Sequence, residues 1–154
     1  MPAIIARQFG RGKVVYFPAA LDSGYYLYPY PYQRLILAQA MRWVAQEPFP
    51  ISVEAPMCVQ STFFRQQKNG ERLIVHLFNG INSTAQHAFA NDDVPLREES
   101  VPVHDIKLRF NGYAIKRIHL EPDGTTLNPV RDSNASVVSL PPLAIHYMVV
   151  AELQ

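Results

Sequence analysis

Cysteine is almost absent: Cys58 stands alone in 154 residues, which excludes an internal disulfide framework and any multi-cysteine metal site. Long apolar runs are missing as well. None approaches the ~20 residues that a membrane span requires. The opening MPAIIARQFGRGK has no charged leader followed by an apolar stretch, so no signal peptide and a cytoplasmic location by default are expected. Charge of one sign is lacking too. Fourteen basic residues against thirteen acidic ones leave +1, a balance that argues against nucleic acid or an anionic membrane surface as partner. What the chain does have is apolar content, 48% hydrophobic against 18% charged, enough to bury a core and exclude wholesale disorder.

The small net charge is unevenly spread. Residues 1–46 carry Arg7, Arg11, Lys13, Arg34 and Arg42 against Asp22 alone, and the remainder is acidic. The change falls at Glu47-Pro48-Phe49-Pro50, where two prolines end a helix and start an extended segment. A junction is expected there, dividing the chain into 1–47 and 48–154.

The first part reads strand, turn, strand, loop, helix. Ala3–Phe9 and Lys13–Phe17 flank Gly10-Arg11-Gly12 as a hairpin. From Tyr32 to Ala45 apolar residues recur at helical spacing with no Gly or Pro, and Leu35, Ala38, Met41 and Val44 are expected to be buried on one side.

Beyond Pro50 the period becomes two. Ile51–Glu54, Met57–Arg65, Arg72–Phe78, Val101–Phe110, Tyr113–Leu120, Ser136–Leu140 and Leu143–Leu153 read as strands, six to eight in all, with Leu143–Leu153 central because both of its faces are apolar. Asn69-Gly70, Asn79-Gly80, Asn111-Gly112, Asp123-Gly124 and Pro141-Pro142 supply turns. At Asn111-Gly112 the pattern suggests a bulged hairpin that sets Asp105 opposite Arg117, avoiding a Lys107–Lys116 pairing. The fold class expected is mainly β: an antiparallel β-sandwich preceded by a hairpin-plus-helix remnant of an α/β, flavodoxin-like domain.

Chemistry is harder to find. The most unusual stretch is Tyr25-Tyr26-Leu27-Tyr28-Pro29-Tyr30-Pro31-Tyr32, holding five of the eight tyrosines. Flat rings with polar tips suit stacking on sugar faces or packing at a wet interface; they also suit a loop pinned onto its own domain. Tyr25, Tyr26, Tyr28, Tyr30 and Tyr32 are therefore the candidate ligand or interface residues. The histidines His76, His87, His104, His119 and His146 are scattered singly, and His76 and His146 read as hydrogen-bonded core residues. Asp92-Asp93 and Glu98-Glu99 offer carboxylates in what reads as a solvated connection. Cys58 lacks a nucleophile elbow, and Gly10-Arg11-Gly12-Lys13 lacks the spacing of a phosphate loop. Asp22 is placed to cap or orient the loop after the second strand. Asn82-Ser83-Thr84 and Asn134-Ala135-Ser136 match the glycosylation triplet, which is common by chance. No catalytic, cofactor-binding or metal residue is assigned.

The run Phe9-Gly10-Arg11-Gly12-Lys13-Val14-Val15-Tyr16-Phe17-Pro18, then Leu21-Asp22, then Arg34 to Ala45 with its Arg42-Trp43, resembles the end of a class I glutamine amidotransferase-like domain. The version it is most similar to is the trimerisation domain of family 42 β-galactosidases and related glycoside hydrolases. In those proteins a catalytic (β/α)8 barrel comes first, the amidotransferase-like domain second, and a small antiparallel β domain last. Pro50–Leu153 is similar to that last part in order, size and strand content. The resemblance implies a non-catalytic accessory and oligomerisation portion of a carbohydrate-active protein, without the barrel that carries the family's catalytic carboxylates. It implies a homo-oligomer, with carbohydrate as a candidate ligand and no cofactor. Two alternatives stand beside it: a free-standing carbohydrate-binding β-sandwich module, and part of an active glycosidase whose barrel lies on another chain.

Overall fold

The computed structural model describes residues 3–28, 30–45, 48–67, 70–82 and 99–154. The chain forms two compact units, Met1–Phe49 and Pro50–Gln154.

In the first unit, strands β1 (Ile5–Phe9) and β2 (Gly12–Tyr16) pair antiparallel through a two-residue connection, with Phe9 opposite Gly12 and Ile5 opposite Tyr16. Two helices follow, α1 (Leu21–Leu27) and α2 (Pro31–Val44). Pro31 stands in the first turn of α2, where its missing N–H costs nothing and its fixed φ favours the helix. Helix α1 corrects the expected loop. Asp22 lies in its first turn, where a carboxylate complements the helix dipole, rather than capping anything. Glycine and tyrosines give this seven-residue segment weak helical propensity, which is why the sequence pattern conceals it.

The burial expected of α2 is also corrected. Leu35 and Met41 are 54% and 55% exposed, while Leu37, Ala38, Ala40 and Val44 are partly covered. The helix is apolar around most of its circumference, whereas the described residues of the first unit offer it a two-stranded sheet and the short α1 to pack against.

The second unit is an antiparallel sandwich, as the period-two pattern implies. One sheet has the order β3 (Ile51–Glu54), β6 (Lys107–Asn111), β10 (Ala135–Ser139), β9 (Val130–Asp132). The other runs β4 (Val59–Gln66), β5 (Arg72–Asn79), β11 (His146–Leu153), β7 (Ile115–Glu121), β8 (Thr125–Leu127). Strand β11 is the middle one of five, consistent with its two apolar faces. Nine strands among the described residues exceed the expected six to eight because β8 and β9, three residues each, are too short to show a period.

Alternate residues of each sheet fill the space between them. Leu73, Val75 and Leu77, Val149 and Ala151, and Ile118 and Leu120 meet Leu108, Phe110 and Val138 in one buried cluster, closed by Val103, Ile106, Leu140 and Leu143. Regular pairing on Val101–Phe110 starts only at Lys107; before it, Val103 makes a single bridge to Leu143.

The expected β6–β7 hairpin does not form. The two strands belong to different sheets, and the chain crosses from one to the other through Gly112, whose φ is 74°. Lys107 pairs with Glu54 and Ser139, and Arg117 with Glu152, so Asp105 and Arg117 are not opposed. Crossing lets Leu108 and Phe110 on one side and Ile118 and Leu120 on the other all face the same core, which outweighs local turn chemistry.

Asn79-Gly80 is likewise no hairpin turn. Asn79 is buried and its amide donates to the carbonyls of Val101, Leu143 and Ala144 at 2.8, 3.1 and 2.9 Å, while its Oδ1 accepts from the Ile81 N–H at 3.0 Å. Gly80 follows at the start of a 3-10 turn, Gly80–Asn82, so close to the Cys58 carbonyl that a Cβ would sit 2.9 Å from that oxygen.

Candidate functional site

The tyrosines divide between three settings. Tyr25 and Tyr26 are on α1, Tyr28 is its C-terminal cap, and Tyr30 and Tyr32 begin α2. Tyr25 is half-buried; Tyr26, Tyr28, Tyr30 and Tyr32 are all more than half exposed. The Tyr30 N–H donates to the Tyr28 carbonyl at 2.7 Å, a tight bend that turns the chain into α2. Tyr30 and Tyr32 then present parallel rings, 5.6 Å between centroids and 8° between planes. Exposed parallel rings fixed by a helix start are a surface on which a flat apolar face can lie.

The two-stranded sheet beside them has one face toward α2. Ile4, Ala6, Val15 and Phe17 with Leu35, Ile36, Ala40 and Trp43 line an open apolar groove of about 520 Å³. Lys13 meets one of the lining residues: its Nζ donates to the Trp43 carbonyl at 3.1 Å and lies 5.2 Å from the indole centroid. That geometry is a cation–π contact at a partly wet site. The other face carries Ile5, Phe9, Val14 and Tyr16, all exposed, with the Arg7 guanidinium over the Phe9 ring. Both faces of this small sheet therefore carry apolar side chains.

On the second unit, the outer face of the four-stranded sheet is a polar trough of about 400 Å³. Glu54, Lys107 and Ser139 form one row across it, and Arg109 makes an ion pair with Asp132. Acids and bases alternate there, so the trough has no field of one sign.

The outer face of the five-stranded sheet gathers three histidines. His76 and His146 are not core residues, which corrects the expectation: His76 is half-buried and His146 exposed, both on the side of their strands away from the core cluster. They are hydrogen-bonded, but to each other, His76 Nδ1 to His146 Nε2 at 3.1 Å with rings stacked 5.3 Å apart. Sequence reading misses the pair because seventy residues separate the two; only the β5–β11 register brings them together. His119, buried on β7, approaches Glu121 at 3.1 Å through Nε2. His104 is exposed.

Asp92, Asp93 and Glu98 lie outside the described residues, as do His87, Asn69, Pro29 and the Ser83-Thr84 part of the first glycosylation triplet; Glu99 is exposed. Cys58 is a free, partly covered thiol packed against the core. Among the described residues no group of three or more His, Cys, Asp or Glu could hold a metal ion, and no helix is long and apolar enough to cross a membrane.

No family model and no curated protein matches this sequence. Among solved structures, the chain is similar to alpha-L-fucosidase isoenzyme 2 from Paenibacillus thiaminolyticus, with a TM-score of 0.74 and 19% identity over 99% of this chain. The chain spans 22% of that enzyme's length. The likeness therefore establishes a fold shared with part of a fucosidase.

Proposed function

We propose that the chain is a non-catalytic accessory portion of a carbohydrate-active, glycoside-hydrolase-like protein, and that its first unit serves assembly. The observation that carries this reading is the likeness to a segment of a fucosidase along nearly the whole chain. Within that reading, residues 1–47 are the end of an amidotransferase-like domain of the family 42 trimerisation type, and 48–154 are the β domain that follows it. The bare faces of the two-stranded sheet support it: Ile5, Val14 and Tyr16 on one side and the α2 groove on the other suit a layer that another chain or segment covers. The assembly proposed is a homo-oligomer, most simply a two-fold dimer, with the tyrosines near the contact.

The catalytic part of the proposal is tested on nitrophenyl fucosides and galactosides. No turnover is expected of the purified chain. Turnover that co-purifies with it and is abolished by substituting Glu99 would overturn the accessory reading.

A second reading, a carbohydrate-binding module, draws on the parallel exposed rings of Tyr30 and Tyr32. Titration with galactosides and plant polysaccharides, followed by tyrosine and Trp43 fluorescence, separates the two. Saturable binding lost in Tyr30→Ala and Tyr32→Ala favours the module, and a flat titration favours assembly.

A further inference from the structure

On the outer face of the five-stranded sheet the register places three soft or borderline donors side by side. His146 and Met148 are two residues apart on β11, so they share that face, and Met148 stands directly opposite His76 on β5. Opposed residues in an antiparallel pair have Cβ atoms about 4.5–5.5 Å apart, within reach of a long thioether side chain. The imidazoles have already converged, with His76 Nδ1 and His146 Nε2 3.1 Å apart.

We propose that His76, His146 and Met148 form a surface site for monovalent copper. Two nitrogens 3.1 Å apart, each about 2.0 Å from one ion, subtend about 100° at it. That is a bite suited to a three- or four-coordinate metal. Imidazole alone would suit zinc, nickel or copper equally; the thioether selects Cu(I), whose preference is for soft sulfur. Without metal, the 3.1 Å contact is one hydrogen bond, with one ring donating and the other accepting. Binding asks the donor ring to carry its proton on the opposite nitrogen instead, so both facing nitrogens offer lone pairs and no proton leaves. The surroundings suit a weakly hydrated monovalent ion. Phe64 meets the His76 ring edge-on at 5.7 Å and 87°, and Phe78 is opposite His146 in the register. His146 is exposed, which gives the ion an open route to the site.

The test is an anaerobic titration of the full chain with Cu(I) against a coloured Cu(I) chelator, with Zn(II) in parallel. One equivalent of Cu(I) is expected to be held by the wild type, and His76→Gln and His146→Gln are each expected to release it. Met148→Leu should weaken Cu(I) and leave Zn(II) binding as it was. Cys58→Ser should change nothing, since the thiol is not among the ligands. Circular dichroism of each variant establishes that it is folded. In the wild type, Cu(I) should shift the imidazole proton resonances of His76 and His146 selectively, a readout that needs no variant. No retained equivalent in the wild type, retention undiminished in both histidine variants, loss in Cys58→Ser, or unshifted His76 and His146 resonances would each overturn the proposal.

Discussion

Replacing Asn79 by alanine should cost the second unit much of its stability, by an amount the structure lets one work out. Asn79 is 2% exposed and ties its own turn to two distant segments: its amide donates to Val101 and to the adjacent Leu143 and Ala144, and its Oδ1 receives the Ile81 N–H. The amide has two hydrogens for three carbonyls, so about three net hydrogen bonds disappear, at about 0.5–1.5 kcal/mol each. The Leu143 carbonyl keeps the Val103 N–H at 3.0 Å, which limits the loss there. The sum is about 2–4 kcal/mol, against a total of about 5–15 kcal/mol for a domain. At about 4–8 °C per kcal/mol for a domain near 100 residues, Tm should fall by about 8–32 °C. Urea unfolding followed by circular dichroism measures it. Asn79→Asp makes a sharper comparison. It keeps the volume but sets an anion against three carbonyls, so at neutral pH it should be worse than alanine, and acid should partly relieve it by restoring one donor. A loss below about 1 kcal/mol for Asn79→Ala, or an aspartate no worse than alanine, would refute the role given to this amide.

Phe110 is fully buried at the centre of the core cluster, so Phe110→Ala should destabilise the sandwich by about 3–5 kcal/mol in the same unfolding assay, and a smaller loss would mean the core collapses around it. The Asp123 carboxyl is held below its ordinary value chiefly by the Thr125 hydroxyl, which donates to it at 2.6 Å. A lowered carboxylate contributes stability above its unfolded value and loses it as pH falls through the folded one, so Thr125→Val should bring the Asp123 titration back up, as read by carboxyl NMR. Gly80→Ala should be destabilising because its Cβ would press on the Cys58 carbonyl, a backbone atom that cannot turn aside; thermal unfolding unchanged from wild type would contradict this.

Where one segment decides its own conformation, the sequence is informative. The α2 helix, the β1–β2 hairpin and the alternation of Ile106, Leu108 and Phe110 with Lys107 and Arg109 are all legible, because helix and strand periods are local properties. Where partners must be chosen, it is not. Asn111-Gly112 has the chemistry of a hairpin turn and yet serves as a crossing between sheets, since the core rewards the crossing more. The tyrosine run stands out by composition as a candidate, but its placement across two helix ends, which turns Tyr30 and Tyr32 parallel while half-burying Tyr25, does not. The His76–His146 pair depends on strand register alone, to which neither residue's neighbours in sequence point.

The claim that the first unit serves assembly is tested most directly by light scattering of the chain at micromolar concentration. Removing apolar area from water yields about 25 cal/mol per Å², so the exposed Ile5, Val14 and Tyr16 face should recruit a second copy. The wild-type chain should show a mass of at least twice 17.4 kDa, returning to the monomer value in Val14→Lys and Tyr16→Glu. A soluble wild-type monomer of 17.4 kDa would contradict it.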